Sequence, residues 1–169
     1  MIKSKRLSKF KNIEHAFFNK KSGKSTTVYK RFNDSANSSD IKKNVFNNLK
    51  IIGKKIIFDQ KKVILLNQIH SDKFYYIDKK SKLNNFKFYG DALITNISNT
   101  PIGVLTADCA PILLFDKQMK MTAAIHAGWK GAYKGIIKKV VKFMIKKGCS
   151  PSNITAVIGP CISLKSYEV

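Results

Sequence analysis

Residues 90–131 read GDALITNISNTPIGVLTADCAPILLFDKQMKMTAAIHAGWKG. It contains the apolar runs DALIT, IGVLT, PILLF and MTAAIHAG, which are separated by turn-forming residues. Because Val, Ile and Leu stand in continuous runs rather than alternating with polar residues, we predict strands that are buried on both faces. Cys109 and His126 each lie next to such a run. The stretch is therefore predicted to supply central strands that carry one cysteine and one histidine.

Similar patterns predict the elements before this stretch. An apolar stripe predicts a helix that Ser38 or Ser39 would cap and Gly53 would end; its members are Ile41, Val45, Leu49 and Ile52. Short β-type runs predict strands at residues 13–18, 55–58, 63–66 and 74–78.

After the central stretch, residues 129–148 predict one long helix, followed by a strand at residues 154–159. The helix would end at Gly148 and would bury a stripe formed by Trp129, Tyr133, Ile136 or Ile137, Val140 and Met144. Gly131 and Gly135 lower its helical propensity, which indicates that small residues serve close packing or ligand access there.

Length and composition predict one globular domain over residues 1–169, because 169 residues with 44% apolar content can bury a core. No run of eighteen apolar residues exists, and charged residues interrupt the N-terminal segment, so we expect neither a membrane span nor a signal peptide. Three cysteines without a C-x-x-C pair are typical of a reducing compartment. The expected location is the cytoplasm.

The formal net charge of +22 raises the alternative of a basic nucleic-acid-binding module without catalysis. Of the 32 basic residues, however, 32 − 2 = 30 are lysines, since only Arg6 and Arg31 are arginines. Arginine is the preferred reader of phosphates and guanine edges, so we expect no specific nucleic-acid partner.

The candidate reaction centre consists of His70, Cys109 and His126, which are separated by 39 and 17 residues and can meet only through the fold. Three nitrogen and sulfur ligands with an open fourth position are typical of catalytic zinc, although copper accepts the same ligands. A metal-free alternative makes Cys109 a nucleophile with either histidine as its base, in an amidase that edits peptidoglycan precursors. A third possibility is structural: a small buried cysteine and two hydrogen-bonded histidines.

The blocks QIH, GDALIT, VLTADCAPILLFD, AAIHAGWKGAYKGI and VIGPCIS..SYEV stand in the order and spacing of the YfiH-type family, which the chain resembles over nearly its whole length. That family is also called DUF152, peptidoglycan editing factor or polyphenol oxidase domain. The resemblance implies an α+β fold, a layered β-sandwich flanked by helices (α/β/β/α). It also implies a zinc-dependent cytoplasmic enzyme for phosphorolysis of adenosine, inosine and methylthioadenosine and for adenosine deamination, with zinc on His70, Cys109 and His126.

Further site residues combine that resemblance with chemistry. Gly128 and Lys130, at the predicted helix start, would bind phosphate, and Asp108 would orient a ligand, act as general base or only hold the turn. Lys20 and Asn33 are further candidate substrate- or anion-binding residues, since Lys20 stands where the family usually has an arginine and Asn33 matches a family Asn position. Family chains continue beyond the Y-E-V block, whereas this chain stops at Val169, so we expect the C-terminal portion of the domain to be missing.

Overall fold

The computed structural model describes residues 1–19, 24–25, 39–57, 63–79, 81 and 88–168. The chain divides into two compact units. The first unit comprises Met1–Ile64 with Asn99–Pro101, and the second comprises Leu65–Ser98 with Ile102–Val169. No helix in these described ranges is long and apolar enough to cross a membrane.

The first unit contains a short 3-10 helix, Leu7–Lys9, and the helix α1, Lys42–Ile57. Val45, Leu49 and Ile52 of the predicted stripe are buried, whereas Ile41 precedes the helix and is exposed. Gly53 does not end the helix, which continues for one more turn, so the strand predicted at residues 55–58 is wrong where the structure describes it. The strand predicted at residues 13–18 is reduced to one bridge between Ile2 and Phe17.

The second unit is built on a five-stranded mixed sheet in the order β1-β2-β4-β3-β5. Its strands are β1 (Phe74–Ile77), β2 (Ala92–Thr95), β3 (Ala110–Asp116), β4 (Met121–Ala127) and β5 (Ile154–Ile158). β1 and β2 pair in parallel, and the other three pairs are antiparallel. The mixed sheet and its helices confirm the predicted α+β class. Residues 63–66 and 102–106, also predicted as strands, form none in the described chain.

The predicted long helix is two helices, α2 (Trp129–Tyr133) and α3 (Ile136–Lys146). Gly135 interrupts them with a left-handed φ of 78°, which an i→i+4 helix cannot accommodate. The stripe therefore begins at Ile136, and Trp129 and Tyr133 are 55% and 90% exposed instead of buried. Gly148 has φ 100° just after α3, as predicted for a glycine that ends a helix.

The core of the second unit lies between α3 and one face of the sheet. The sheet contributes residues that alternate along β2, β3 and β4, and the helix contributes Ile136, Val140 and Met144 at four-residue spacing. Leu93, Ala124 and Phe115, which point to the other face, are also buried, so these strands are buried on both faces as predicted. His126 shares this second face, since it follows Ala124 by two residues in β4.

Candidate metal centre

The three residues of the proposed centre are supplied by neighbouring elements at one end of the sheet. His126 is the penultimate residue of β4, and Cys109 directly precedes β3. β3 and β4 are antiparallel with Ala110 opposite Ala127, which places Cys109 beside the end of β4. His70 comes from the segment before β1, so the sheet brings together residues that are 56 positions apart (126 − 70).

The donor atoms of His70, Cys109 and His126 all lie within 4.8 Å of one another. The two imidazole rings meet edge to face, with their centroids 4.8 Å apart and an interplanar angle of 81°. His126 is buried, Cys109 is partly buried and His70 is exposed. The cluster is therefore closed on the side of the sheet and open toward solvent at His70.

Asp91, the residue before β2, forms hydrogen bonds with the ring and the backbone of His126. His126 Nδ1 lies 2.8 Å from Asp91 Oδ1, and because a carboxylate only accepts, the proton of this hydrogen bond sits on Nδ1. The Nε2 lone pair of His126 is then left for a ligand. The backbone N–H of His126 also donates to the carbonyl oxygen of Asp91, at 2.7 Å.

The same carboxylate holds the segment that carries His70. Asp91 Oδ1 accepts the N–H of His70 at 3.0 Å, and Asp91 Oδ2 accepts the N–H of Ser71 at 2.6 Å and its hydroxyl at 2.7 Å. His70 adopts a φ of 55°, a left-handed conformation that is uncommon for a residue with a side chain. These hydrogen bonds fix the backbone from which the His70 ring projects.

Gly128 provides the space in front of the donor atoms. A Cβ at this position would lie 2.8 Å from His70 Nδ1 and 3.2 Å from Cys109 Sγ. Gly131, one turn later in α2, allows an equally close approach, since its Cβ would lie 2.7 Å from the Ser71 carbonyl oxygen. The small residues at the start of α2 thus serve close packing around His70 and Ser71, as the sequence predicted, whereas a Cβ on Gly135 would meet nothing within 4 Å.

The electrostatics of the centre follow from burial and hydrogen bonding. Burial raises the pKa of Asp91, but hydrogen bonds from Ser71 and His126 outweigh it, so the pKa is lowered overall and the carboxylate is held ionised. Burial raises the pKa of Cys109, and the charges of Asp108 and Asp91 raise it further. A bound cation would reverse this balance for Cys109, because a coordinating thiol is deprotonated by the metal.

The donor set and its spacing fit a zinc ion. Zinc–sulfur and zinc–nitrogen distances of about 2.3 and 2.0 Å place two nitrogens and one sulfur of a tetrahedral site about 3.3–3.5 Å apart, which is compatible with donors that all lie within 4.8 Å of one another. Three protein ligands and an open solvent side match a catalytic rather than a structural site.

The other predicted site residues stand in different positions. Asp108 is exposed beside Cys109, and its carbonyl oxygen accepts the N–H of Ile162 at 2.9 Å. Lys130 is exposed on α2, and its Nζ lies 5.4 Å from the centroid of the Trp129 ring. Lys20 and Asn33 lie outside the described residues.

Asp91, which stands in the block GDALIT, was not predicted as a site residue. The available signal was an aspartate directly before a strand whose four residues are all buried. A carboxylate at such a position is buried as well, and a buried carboxylate requires hydrogen-bonding partners.

Comparisons with known proteins agree with this architecture. Residues 14–169 match a family model described as multi-copper polyphenol oxidoreductase laccase. A protein of Clostridium acetobutylicum named purine nucleoside phosphorylase is 44% identical over 112 residues, which cover 66% of this chain and 46% of that protein. A purine nucleoside phosphorylase of Bacteroides thetaiotaomicron is 32% identical over 176 residues, covering 100% of this chain and 65% of that protein.

The crystal structure of the Bacillus licheniformis hypothetical protein YfiH superposes with a TM-score of 0.80 at 27% identity, over 88% of this chain and 58% of that one. This chain thus spans about half to two thirds of the length of these relatives. Because the family model matches nearly the whole sequence and the fold agrees, the chain belongs to the YfiH-type (DUF152) family whose model is described as multi-copper polyphenol oxidoreductase laccase.

Proposed function

We propose that this chain is a zinc-dependent purine nucleoside enzyme of the cytoplasm. Its principal reaction is phosphorolysis of adenosine, inosine or methylthioadenosine, and adenosine deamination is a second reaction of the same site. The observation that carries the proposal is the convergence of His70, Cys109 and His126 on one point that is open to solvent. The names of the Clostridium and Bacteroides relatives support the substrate class.

The residues divide the work by position. His126 Nε2, Cys109 Sγ and His70, whose Nδ1 faces Gly128, would hold the zinc, and bound zinc supplies Lewis-acid chemistry. Gly128 has no Cβ, which would otherwise lie against His70 Nδ1 and Cys109 Sγ. Asp108, exposed next to Cys109, is the candidate general base. The backbone at Gly128 and the exposed Lys130 are the candidate phosphate contacts, although the five-residue α2 has a weaker dipole than the long helix predicted.

Zinc is proposed over copper although the family model is described as a laccase. A multi-copper cluster needs many histidines, and this chain contains three. The third, His15, is buried and accepts the N–H of Ser4 on its Nε2 at 2.8 Å. A single ion on two imidazoles and one thiolate suits zinc with an open position, and metal analysis of the purified protein separates zinc from copper.

The deciding experiment is incubation of the zinc-loaded protein with adenosine, with and without phosphate, followed by chromatography of the products. Adenine that forms only with phosphate reports phosphorolysis, and inosine reports deamination. A folded, zinc-loaded protein that forms neither product would contradict the proposal.

A pair of cysteine variants sharpens this experiment. Cys109→Ala removes one proposed ligand, and we expect the bound zinc and the product to fall to background. Cys161→Ala is the matched control, because Cys161 is an exposed free thiol outside the cluster. It should keep both zinc and activity.

A second candidate, a metal-free amidase, is favoured by one observation. Cys109, His126 and Asp91 also fit a nucleophile, its base and the group that orients the base. The raised pKa of Cys109 opposes this function, since a cysteine nucleophile is normally activated by a lowered pKa. Hydrolysis of peptidoglycan precursors by chelator-treated protein free of zinc would favour the amidase and reject the zinc enzyme.

A further inference from the structure

We propose that Asp91 is the positioning residue that sets the geometry of two of the three metal ligands. The inference rests on the proposed metal site and extends it to a residue that contacts neither metal nor substrate. Asp91 is fully buried, and its carboxylate contacts His126 directly and His70 through the backbone.

The first step concerns which nitrogen of His126 can bind. An imidazole binds a metal through its unprotonated nitrogen, and in a free ring the proton exchanges between the two nitrogens. The 2.8 Å hydrogen bond to Asp91 fixes the proton on Nδ1 and directs Nε2 away from the carboxylate. Such an outer carboxylate also orients the ring and makes the ligand more basic.

The second step concerns the backbone of His70. Its φ of 55° is unfavourable for histidine and persists only where surrounding contacts impose it. Three consecutive N–H groups point at Asp91, those of Ile69 at 3.4 Å, His70 at 3.0 Å and Ser71 at 2.6 Å. One carboxylate thus holds the turn that aims His70 at the cluster.

The third step excludes Asp91 as a ligand itself. A carboxylate has about four lone-pair positions for hydrogen bonds. Oδ1 accepts from His126 Nδ1 and from the His70 N–H, and Oδ2 accepts from the Ser71 N–H and hydroxyl and, at 3.4 Å, from the Ile69 N–H. With these positions occupied, Asp91 acts on the metal only through the two histidines.

The test compares zinc affinity in wild-type protein, Asp91→Asn and Asp116→Asn, the same change at the buried aspartate that ends β3, measured by competition with a chromogenic chelator. Asparagine has nearly the volume of aspartate and keeps one accepting oxygen. Its NH₂ group, however, would face N–H or O–H donors whose hydrogen bonds Asp91 accepts. We expect Asp91→Asn to bind zinc about 10–100-fold more weakly. Asp116→Asn keeps an oxygen for the N–H groups of Gln118 and Met119 and changes no contact of the two histidines, so its affinity should stay within about threefold of wild type.

A purely structural role would lower stability without changing the site in the folded molecules. Near-UV circular dichroism of the chelator-treated proteins therefore selects folded samples, and the absorption spectrum of bound cobalt(II) reports the ligand geometry. We expect a changed cobalt(II) spectrum in Asp91→Asn and the wild-type spectrum in Asp116→Asn. Wild-type affinity and spectrum in folded Asp91→Asn would overturn the inference. Failure of the wild-type protein to bind zinc or cobalt(II) would instead overturn the proposed metal site.

If Asp91→Asn does not fold, nitrogen-15 correlation spectra of the wild-type imidazoles decide the matter without a variant. The inference requires a protonated Nδ1 on His126 in the metal-free protein. A bare Nδ1 on that ring would refute it.

Discussion

Asp91 and Asp116 are two fully buried aspartates at opposite ends of the same sheet, and they are held in different ways. Asp116, the last residue of β3, accepts the N–H groups of Gln118 and Met119 at 2.8 Å each on its Oδ1. Those donors are two and three residues away, in the turn between β3 and β4. Asp91 accepts from donors that are 20 to 35 residues away, in the segment before β1 and in β4.

The difference separates a structural carboxylate from one that organises a site. Asp116 shapes a local turn, and its other close neighbour is the thiol of Cys149, whose pKa is raised by burial and by Asp116. The donors to Asp91 lie in β4 and in the segment before β1, and these two segments carry the proposed ligands His126 and His70. β3 has seven residues, so these two ends of the sheet are separated by about 20 Å at 3.3 Å per residue. Changes at one end should therefore leave the other unaffected.

We expect the largest effect, a loss of zinc affinity at the end of the sheet that contains Asp91, from Gly128→Ala. The backbone of Gly128, with φ −70° and ψ 160°, suits alanine, so only the added Cβ matters. That atom would lie 2.8 Å from His70 Nδ1, and the ring must move. We expect zinc affinity to fall about 10–100-fold, as for other disturbances of ligand orientation. Chelator competition measures it.

Gly135→Ala is the matched control for that variant. It also adds one methyl group, in open space but at a φ of 78°. It should cost about 1 kcal/mol in the free energy of unfolding and leave zinc affinity unchanged. Equal zinc affinities for the two alanine variants would show that the space at Gly128 is unrelated to metal binding.

The second prediction concerns the other end of the sheet. Asp116→Ala removes both hydrogen bonds that cap the turn after β3 and leaves two backbone N–H groups without that acceptor. We expect a loss of about 1–2 kcal/mol in the free energy of unfolding, measured with urea. Zinc affinity should stay at the wild-type value. A coupled loss of affinity would mean that the two ends are not independent.

The same contrast explains what the sequence predicted and what it did not. The strands of the sheet were predicted because continuous apolar runs are local signals, and Leu93, Leu114 and Ile125 are buried as expected. The strand predicted at residues 102–106 is wrong, because strand propensity does not specify a pairing partner. The prediction of one long helix is wrong at Gly135. The left-handed conformation of this residue is a backbone property that the apolar stripe does not encode.

The candidate ligands were predicted from residue type and family resemblance, and the structure places His70, Cys109 and His126 together. Asp91 was not predicted, because its partners are distant in sequence and only the sheet register brings them to it. Ala92 lies opposite Ile125, which places Asp91 beside His126. Neither residue type nor spacing within GDALIT contains that pairing.

The smallest expected effect is a pH dependence at the Asp116 end, through Cys149. Burial, and next the charge of Asp116, raises the pKa of Cys149 from 9.0 to about 11. The folded state therefore keeps the thiol protonated at a pH where the unfolded chain releases the proton. The stabilisation is complete below about pH 9 and is lost as the pH rises from about 9 to 11, by roughly 1 kcal/mol at pH 10.

Because lysines also titrate in this range, the measurement compares wild-type protein with Cys149→Ala. The variant loses the packing of Sγ against Met121 Sδ, a contact of 3.8 Å, and should be less stable at neutral pH. As the pH rises, the difference in the free energy of unfolding should shrink, since only the wild-type protein loses the contribution of a buried thiol. A constant difference between pH 7 and 10 would show that Cys149 is not held protonated. Cys149 would then contribute no pH dependence to the stability, although the role of Asp116 in the turn would be unaffected.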